Sequence, residues 1–178
     1  MRTCLVRRAA GNPEGTGAWD GPVWSAADTL ALDCFVAAKP AYKPRAQARV
    51  LYDDRQFFVL FRVEDRYVRS VHTRPNDPVS EDSCVEFFAR PNPLGGYFNF
   101  EINAGGTMLL YYIEDWKRTA AGFQRFRRVD AGLMKSVRIF HSLPRVVDPE
   151  ITNPVTWTIE CAIPLRLIET YVGQLGVL

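Results

Sequence analysis

The chain has 178 residues and a mass of 20.2 kDa, with a formal net charge of +2, a pI near 8.4, 47% hydrophobic residues and 24% charged residues. These are ordinary values for a globular chain, and a charge this mild gives no electrostatic reason to expect nucleic acid or a membrane as partner. No run of about 18 apolar residues occurs, and Arg2, Arg7 and Arg8 follow Met1 without an apolar stretch between them, so neither a membrane span nor a signal peptide is expected.

The length suits one domain over residues 1–178, large enough to form a core without a metal or a disulfide. Aromatics at 12% and 12 prolines favour short strands and turns. The pattern begins with TCLVRRA, a candidate first strand, and then GNPEGTGAWDGP, whose glycines and prolines forbid regular structure. Asp28 to Val36 reads as a strand with Leu30, Leu32 and Cys34 on one face. AKPAYKPRA is a connection that Pro40 and Pro44 keep out of a sheet interior. Three strand-like pieces follow, Gln47 to Tyr52, Phe57 to Val63 and Tyr67 to His72, separated by the acidic turns Asp53–Asp54 and Glu64–Asp65. In the second, Phe57, Val59, Phe61 and Val63 form a core face opposite Phe58, Leu60 and Arg62.

The stretch DSCVEFFARPNPLGGYFNFEIN, residues 82–103, reads as a hairpin. Val85 and Phe87 alternate with Cys84, Glu86 and Phe88, and Phe98, Phe100 and Ile102 alternate with Tyr97, Asn99, Glu101 and Asn103. A period of two sets these on opposite faces, so one face is apolar and the other carries two carboxylates, two amides and a phenol. That polar face is the candidate site. Gly105–Gly106 then turns the chain into the strand TMLLYYIED. Trp116 to Met134 reads as an irregular or edge segment, Ser136 to Leu143 and Val155 to Ile163 as strands, and LRLIETYV as a short helical turn after Pro164. Trp157, Ile159, Cys161 and Ile163 should face inward, with Thr156, Thr158 and Glu160 outward. About ten short strands and no long helix predict an all-β, two-sheet antiparallel β-sandwich.

Cys4, Cys34, Cys84 and Cys161 are far apart and lack CxxC spacing, which argues against zinc and for thiols behaving as small hydrophobes. There is no HExxH, GxSxG or phosphate-cradling glycine loop.

In this order, DGPVWSAADTLALDCF, RVLYDDRQFFVLFRVED, SEDSCVEFFARP with GYFNFEINAGGTMLL, and WTIECAIPLRLI resemble the family-nine-like carbohydrate-binding modules of the DOMON-like β-sandwich group, from about Trp24 to Ile168. The resemblance implies two antiparallel sheets, no catalytic apparatus, no required cofactor, and an oligo- or polysaccharide bound on or beside the concave face. It implies work outside the cytoplasm beside a glycan-degrading enzyme such as a glycoside hydrolase, or in glycan sensing. It maps ligand contacts onto Glu86, Glu101 and Asn103. Ser80 stands where such domains often carry a tryptophan, and a segment that often follows the IPL motif, with a closing strand, is missing here. The alternative is therefore a structural or interaction sandwich whose sugar site has decayed.

Sugars need paired hydrogen bonds and an aromatic face. Glu86, Glu101, Asn99 and Asn103 supply the first, and Tyr97, Tyr112 and Trp116 are candidate aromatics, with Arg62 as a neighbouring cation. The same carboxylates could instead pair with Arg62 or Arg69 as a satisfied polar layer. Structural Ca²⁺ would use the acidic turns, with Asp65, Glu81 and Asp82 as candidate ligands, although no EF-hand spacing is present. Some DOMON-like sandwiches bind haem, for which His72, His141, Met108 and Met134 are the available axial ligands. KRTAAGFQRFRR interleaves basic and aromatic residues but reads as a solvated edge rather than a nucleic-acid site.

Overall fold

A computed structural model describes residues 3–35, 42–120 and 122–176. The part of the expected second strand that ran on to Val36 lies outside the described residues, as does Pro40.

The fold is the expected two-sheet β-sandwich, antiparallel except that the short first strand, Arg7–Arg8, pairs in parallel with Leu51–Tyr52. One sheet contains β1 (Arg7–Arg8), β2 (Leu30–Leu32), β3 (Arg45–Tyr52), β4 (Gln56–Asp65), β10 (Arg138–His141) and β12 (Val155–Pro164). Its order is β1-β3-β4-β12-β10, with β2 also on β3. The opposing sheet is β6 (Cys84–Ala89), β7 (Tyr97–Asn103), β8 (Met108–Thr119) and β9 (Gly122–Arg128), in that order. β5 (Val68–Ser70) and β11 (Val147–Ile151) form a small separate pair. Two short helices complete the fold, α1 (Ala131–Met134) and α2 (Leu165–Val172).

Two expectations change. The first two strands shrink to β1 and β2, and Leu32 and Cys34 are exposed, because β2 is a three-residue edge strand paired with β3 alone. The segment read as irregular or edge is strand for most of its length, an edge hairpin formed by the end of β8 and by β9 with two register shifts in its ladder.

The core follows the period-two pattern. Val59, Phe61, Val63, Trp157, Ile159, Cys161 and Ile163 from one sheet meet Val85, Phe98, Phe100, Ile102, Leu110 and Tyr112 from the other. Leu167 and Ile168 of α2 join this cluster, so the helix closes one end of the sandwich. Burial holds the Cys161 thiol up at about 12, beside Glu160, which keeps it an inert hydrophobe.

The outer face of the larger sheet is also covered. Leu51, Phe58, Leu60 and Ala162 pack with Trp24, Ala27 and the partly buried Trp19 and Val23 of the N-terminal segment. Covering Phe58 and Leu60 in this way contributes about 2–3 kcal/mol each. Glu160 points to that face, as its alternation requires, yet is buried. Its two carboxylate oxygens accept hydrogen bonds from the Gly15 and Gly17 backbone N–H groups at 3.1 and 2.8 Å. Both glycines have positive φ, and a Cβ on Gly17 would overlap the Phe140 ring, so glycine is required there to bring the loop against the carboxylate.

Glu160→Ala removes both acceptors of this latch. The expected outcome is a loss of about 2 kcal/mol of stability in chemical denaturation, with faster proteolytic cleavage within residues 11–17 under native conditions.

Candidate functional site

The site is the outer face of the four-stranded sheet, and its composition follows from register. The β6–β7 ladder places Glu86 directly opposite Glu101, Phe88 opposite Asn99 and Cys84 opposite Asn103. The β7–β8 ladder sets odd-numbered residues opposite odd-numbered ones, with Glu101 facing Leu109, Asn99 facing Tyr111 and Tyr97 facing Ile113. The β8–β9 ladder adds Phe126 opposite Ile113 and Arg128 opposite Tyr111. All these side chains share the face turned away from the core.

The end of the β8–β9 hairpin is bent over this face. Register shifts fall between Ile113 and Asp115 and between Asp115 and Arg118, and such bulges bend and twist a hairpin. As a result the Phe123 ring lies 6.3 Å from Tyr111 and 5.9 Å from Phe126, and Phe126 lies 5.3 Å from Tyr111. The Arg118 guanidinium lies over Phe123 at 3.8 Å. Under this cover Leu109 and Ile113 are buried although they face away from the core. Phe88 stands on the other side, 56% exposed, with its ring 6.0 Å from Tyr97.

Between the aromatic groups lies the acidic floor. Glu101 is 8% exposed and Asn99 4%. Asn99 Nδ2 donates to Glu101 Oε1 at 2.8 Å, and the Asn99 side chain also hydrogen-bonds Glu86. Burial raises the Glu101 carboxyl to about 7, and the neighbouring Glu86 charge pushes the same way, against Arg118 and the Asn99 amide. Burial raises Glu86 as well, opposed by its hydrogen bond to Asn99. The Cys84 thiol is pushed up to about 12 by burial and then by Glu86, Glu101 and Asp82, so it is no nucleophile. Two buried oxygens on this floor, Glu101 Oε2 and Asn99 Oδ1, have no hydrogen-bond partner. A native fold rarely leaves such atoms unpaired unless something else meets them.

Glu86, Glu101, Asn99 and Tyr97 therefore come together as expected. Asn103 sits on the same strand but is fully buried in structural bonding. Its Nδ2 donates to Asp82 Oδ2 at 2.8 Å and to the His72 carbonyl at 2.9 Å, and its Oδ1 accepts from the Thr107 N–H at 2.8 Å. No atom of its amide is left to meet a ligand. Tyr112 projects inward, packed on Phe98 at 4.9 Å and Tyr171 at 5.2 Å, because it is one residue out of phase with the site. Arg62 lies on the outer face of the opposite sheet and pairs with Glu64 at 3.2 Å, with the core between it and Glu86. Arg69 approaches Asp148 at 3.7 Å. Trp116 is 66% exposed near the hairpin end and makes no ring contact with the site aromatics. Sequence reading passed over Tyr111, Phe126, Phe123 and Arg118, and left Phe88 on the right face without a role. The Gly105–Gly106 turn was the available signal, since a hairpin closing there matches odd residues with odd and selects Tyr111 over Tyr112.

The three acidic residues considered for calcium do not converge. Both Asp82 oxygens accept hydrogen bonds, from the Val71 and His72 N–H groups and Asn103; Glu81 lies 3.5 Å from His72; and Asp65 accepts from the Arg66 N–H. Among the described residues no group of three or more His, Cys, Asp or Glu side chains gathers as a cation site. Met108, Met134 and His141 line a cleft of about 280 Å³ away from the acidic floor, and His72 is not among its lining residues. A cleft of about 740 Å³ lies elsewhere again, between the Asp53–Gln56 turn and α2, whereas the acidic floor belongs to an open sheet face.

Raising the Glu101 carboxyl gives stability a defined pH dependence. Between the ordinary glutamate range and about pH 7 the folded chain holds a proton that the unfolded chain has released, so this contribution is fully present at low pH and is lost as pH rises through about 7. Glu101→Gln should therefore be more stable than the wild type at pH 8, with the difference closing toward pH 5, as read by urea denaturation. Asn103→Ala should cost about 2–4 kcal/mol at either pH, since it breaks buried hydrogen bonds.

Residues 25–172 match the sequence profile of carbohydrate-binding family 9. Among solved structures, a protein of Bacteroides uniformis ATCC 8492 described as carbohydrate-binding superposes with a TM-score of 0.79 at 23% identity, over 96% of this chain and 75% of that one. A family 9 module from Caldicellulosiruptor kristjanssonii in complex with cellotriose aligns with a TM-score of 0.50 at 17% identity, over 89% of this chain and 66% of that one. A family 9 module of the same organism in complex with glucose aligns with a TM-score of 0.50 at 14% identity, over 89% and 68%. No curated protein sequence matches. The profile covers most of the chain, and these likenesses agree with it in fold: the protein belongs to carbohydrate-binding family 9.

Proposed function

We propose that the protein binds an oligosaccharide without cleaving it, on the outer face of β6–β9, with Glu86, Asn99 and Glu101 as the polar floor and Phe88, Tyr97 and Tyr111 as the stacking surface. The observation that carries this reading is the pair of unpartnered buried oxygens, Glu101 Oε2 and Asn99 Oδ1, on a face bordered by aromatic rings. Hydroxyl groups of a sugar supply the missing donors, and the C–H faces of its rings suit Phe88 and Tyr111. The family and the cellotriose and glucose held by its structural neighbours support the ligand class.

The carboxylates argue for binding rather than hydrolysis. A glycosidase sets its acids on either side of the scissile bond. Here Glu86 and Glu101 stand side by side on adjacent strands, and the Asn99 amide bonds to both. A module of this kind works by holding a glycan-degrading enzyme, such as a glycoside hydrolase, against its polysaccharide.

Glu86→Ala and Tyr111→Ala should each weaken oligosaccharide binding by about tenfold or more, measured by calorimetry on the best ligand of a glycan array. Tyr112→Ala should instead lower the melting temperature, because that ring is in the core. Unchanged affinity in both site variants would place the ligand on another surface.

A further inference from the structure

The floor is unusual in the sign of what it lacks. Its unpartnered buried atoms, Glu101 Oε2 and Asn99 Oδ1, are both acceptors. The one amide NH₂ group on the floor is already turned toward Glu101 and Glu86. Two carboxylates thus stand on directly opposed positions, and among the described residues neither has a Lys, Arg or His nitrogen within ion-pairing distance. Arg118, whose charge acts on Glu101, lies over Phe123, Arg128 over Tyr111 and Arg90 over Tyr97, and none of them reaches either carboxylate as an ion pair. A neutral sugar hydroxyl offers one donor and no charge, whereas an ammonium group offers three donors, no acceptor and the charge that is missing. The exposed Phe88 ring beside the floor attracts a cation as well as a sugar face.

Resting on the binding site proposed above, we infer that its preferred ligand is an amino sugar, a glycan with a free ammonium group that sits between Glu86 and Glu101 and donates to Glu101 Oε2 and Asn99 Oδ1. Placing a cation there also favours the ionised form of Glu101.

Three tetramers with the same β-1,4 backbone isolate the point: glucosamine, N-acetylglucosamine and glucose, differing only in the C2 substituent. Calorimetry on the whole chain at pH 7 and 0.15 M salt should show the glucosamine tetramer binding tighter than both neutral ones by about tenfold or more. Glu101→Gln should bring its affinity down to that of the neutral tetramers. Glu86→Gln serves the same purpose if Glu101→Gln does not give a cooperative melt. If a neutral tetramer binds as tightly as the glucosamine one, or the preference survives in the folded glutamine variant, the amino-sugar inference fails while carbohydrate binding stands. If no tetramer and no glycan-array ligand binds, both readings fail together.

Discussion

The Asn103 side chain fixes the register on which this molecule depends. It ties the end of β7 to Asp82 at the start of β6, to the His72 backbone after β5, and to the Thr107 amide at the turn into β8. Asp82 in turn holds the Val71 and His72 amides. Because a one-residue slip in a strand exchanges its faces, this buried knot decides which residues reach the core and which reach the ligand face. Phe98, Phe100 and Ile102 go inward, and Asn99 and Glu101 go out, only while it holds.

The site gains its character from what covers it. A bare sheet face would leave Glu101 in water beside the exposed Glu86, as an ordinary carboxylate. The two register shifts in β8 bend the β8–β9 hairpin so that Phe123 and Phe126 gather beside Tyr111 and Leu109 and Ile113 are buried on the ligand side. Removing water from that floor raises Glu101, and leaving two acceptors unpaired costs stability that a packed apolar layer would not. The sandwich core and the apolar cluster on the far side of the other sheet offset that cost, so the molecule tolerates two unpaired acceptors side by side on this face.

The far side of the six-stranded sheet shows a buried carboxylate treated in the opposite way. Glu160 is as deeply buried as Asn99, yet both of its oxygens are met by the Gly15 and Gly17 amides. One carboxylate is fully answered by its own chain and locks a loop. The other, Glu101, is answered by its chain at only one oxygen. That difference in hydrogen-bond completion, rather than burial or charge alone, separates a structural acid from the one proposed to meet a ligand.

The sequence by itself determined the all-β sandwich, the inward residues of β4, β7 and β12, and the grouping of Glu86, Asn99, Glu101 and Tyr97 on one face. All of these follow from strand alternation, a local rule with a period of two residues. It could not separate Asn103 from its neighbours, since an amide bound to Asp82 and one facing a sugar look alike along the chain. It took Tyr112 for Tyr111, because which tyrosine shares a face with Glu101 depends on how the Gly105–Gly106 turn closes, and it put Arg62 near the carboxylates because only the sandwich shows the core between them. Phe123 and Arg118 reach the site only through the bend of the β8–β9 hairpin. Tertiary structure alone decided the site's cover, its unpartnered oxygens and the raised Glu101 carboxyl, because hydrogen-bond completion and desolvation belong to residues brought together from different strands.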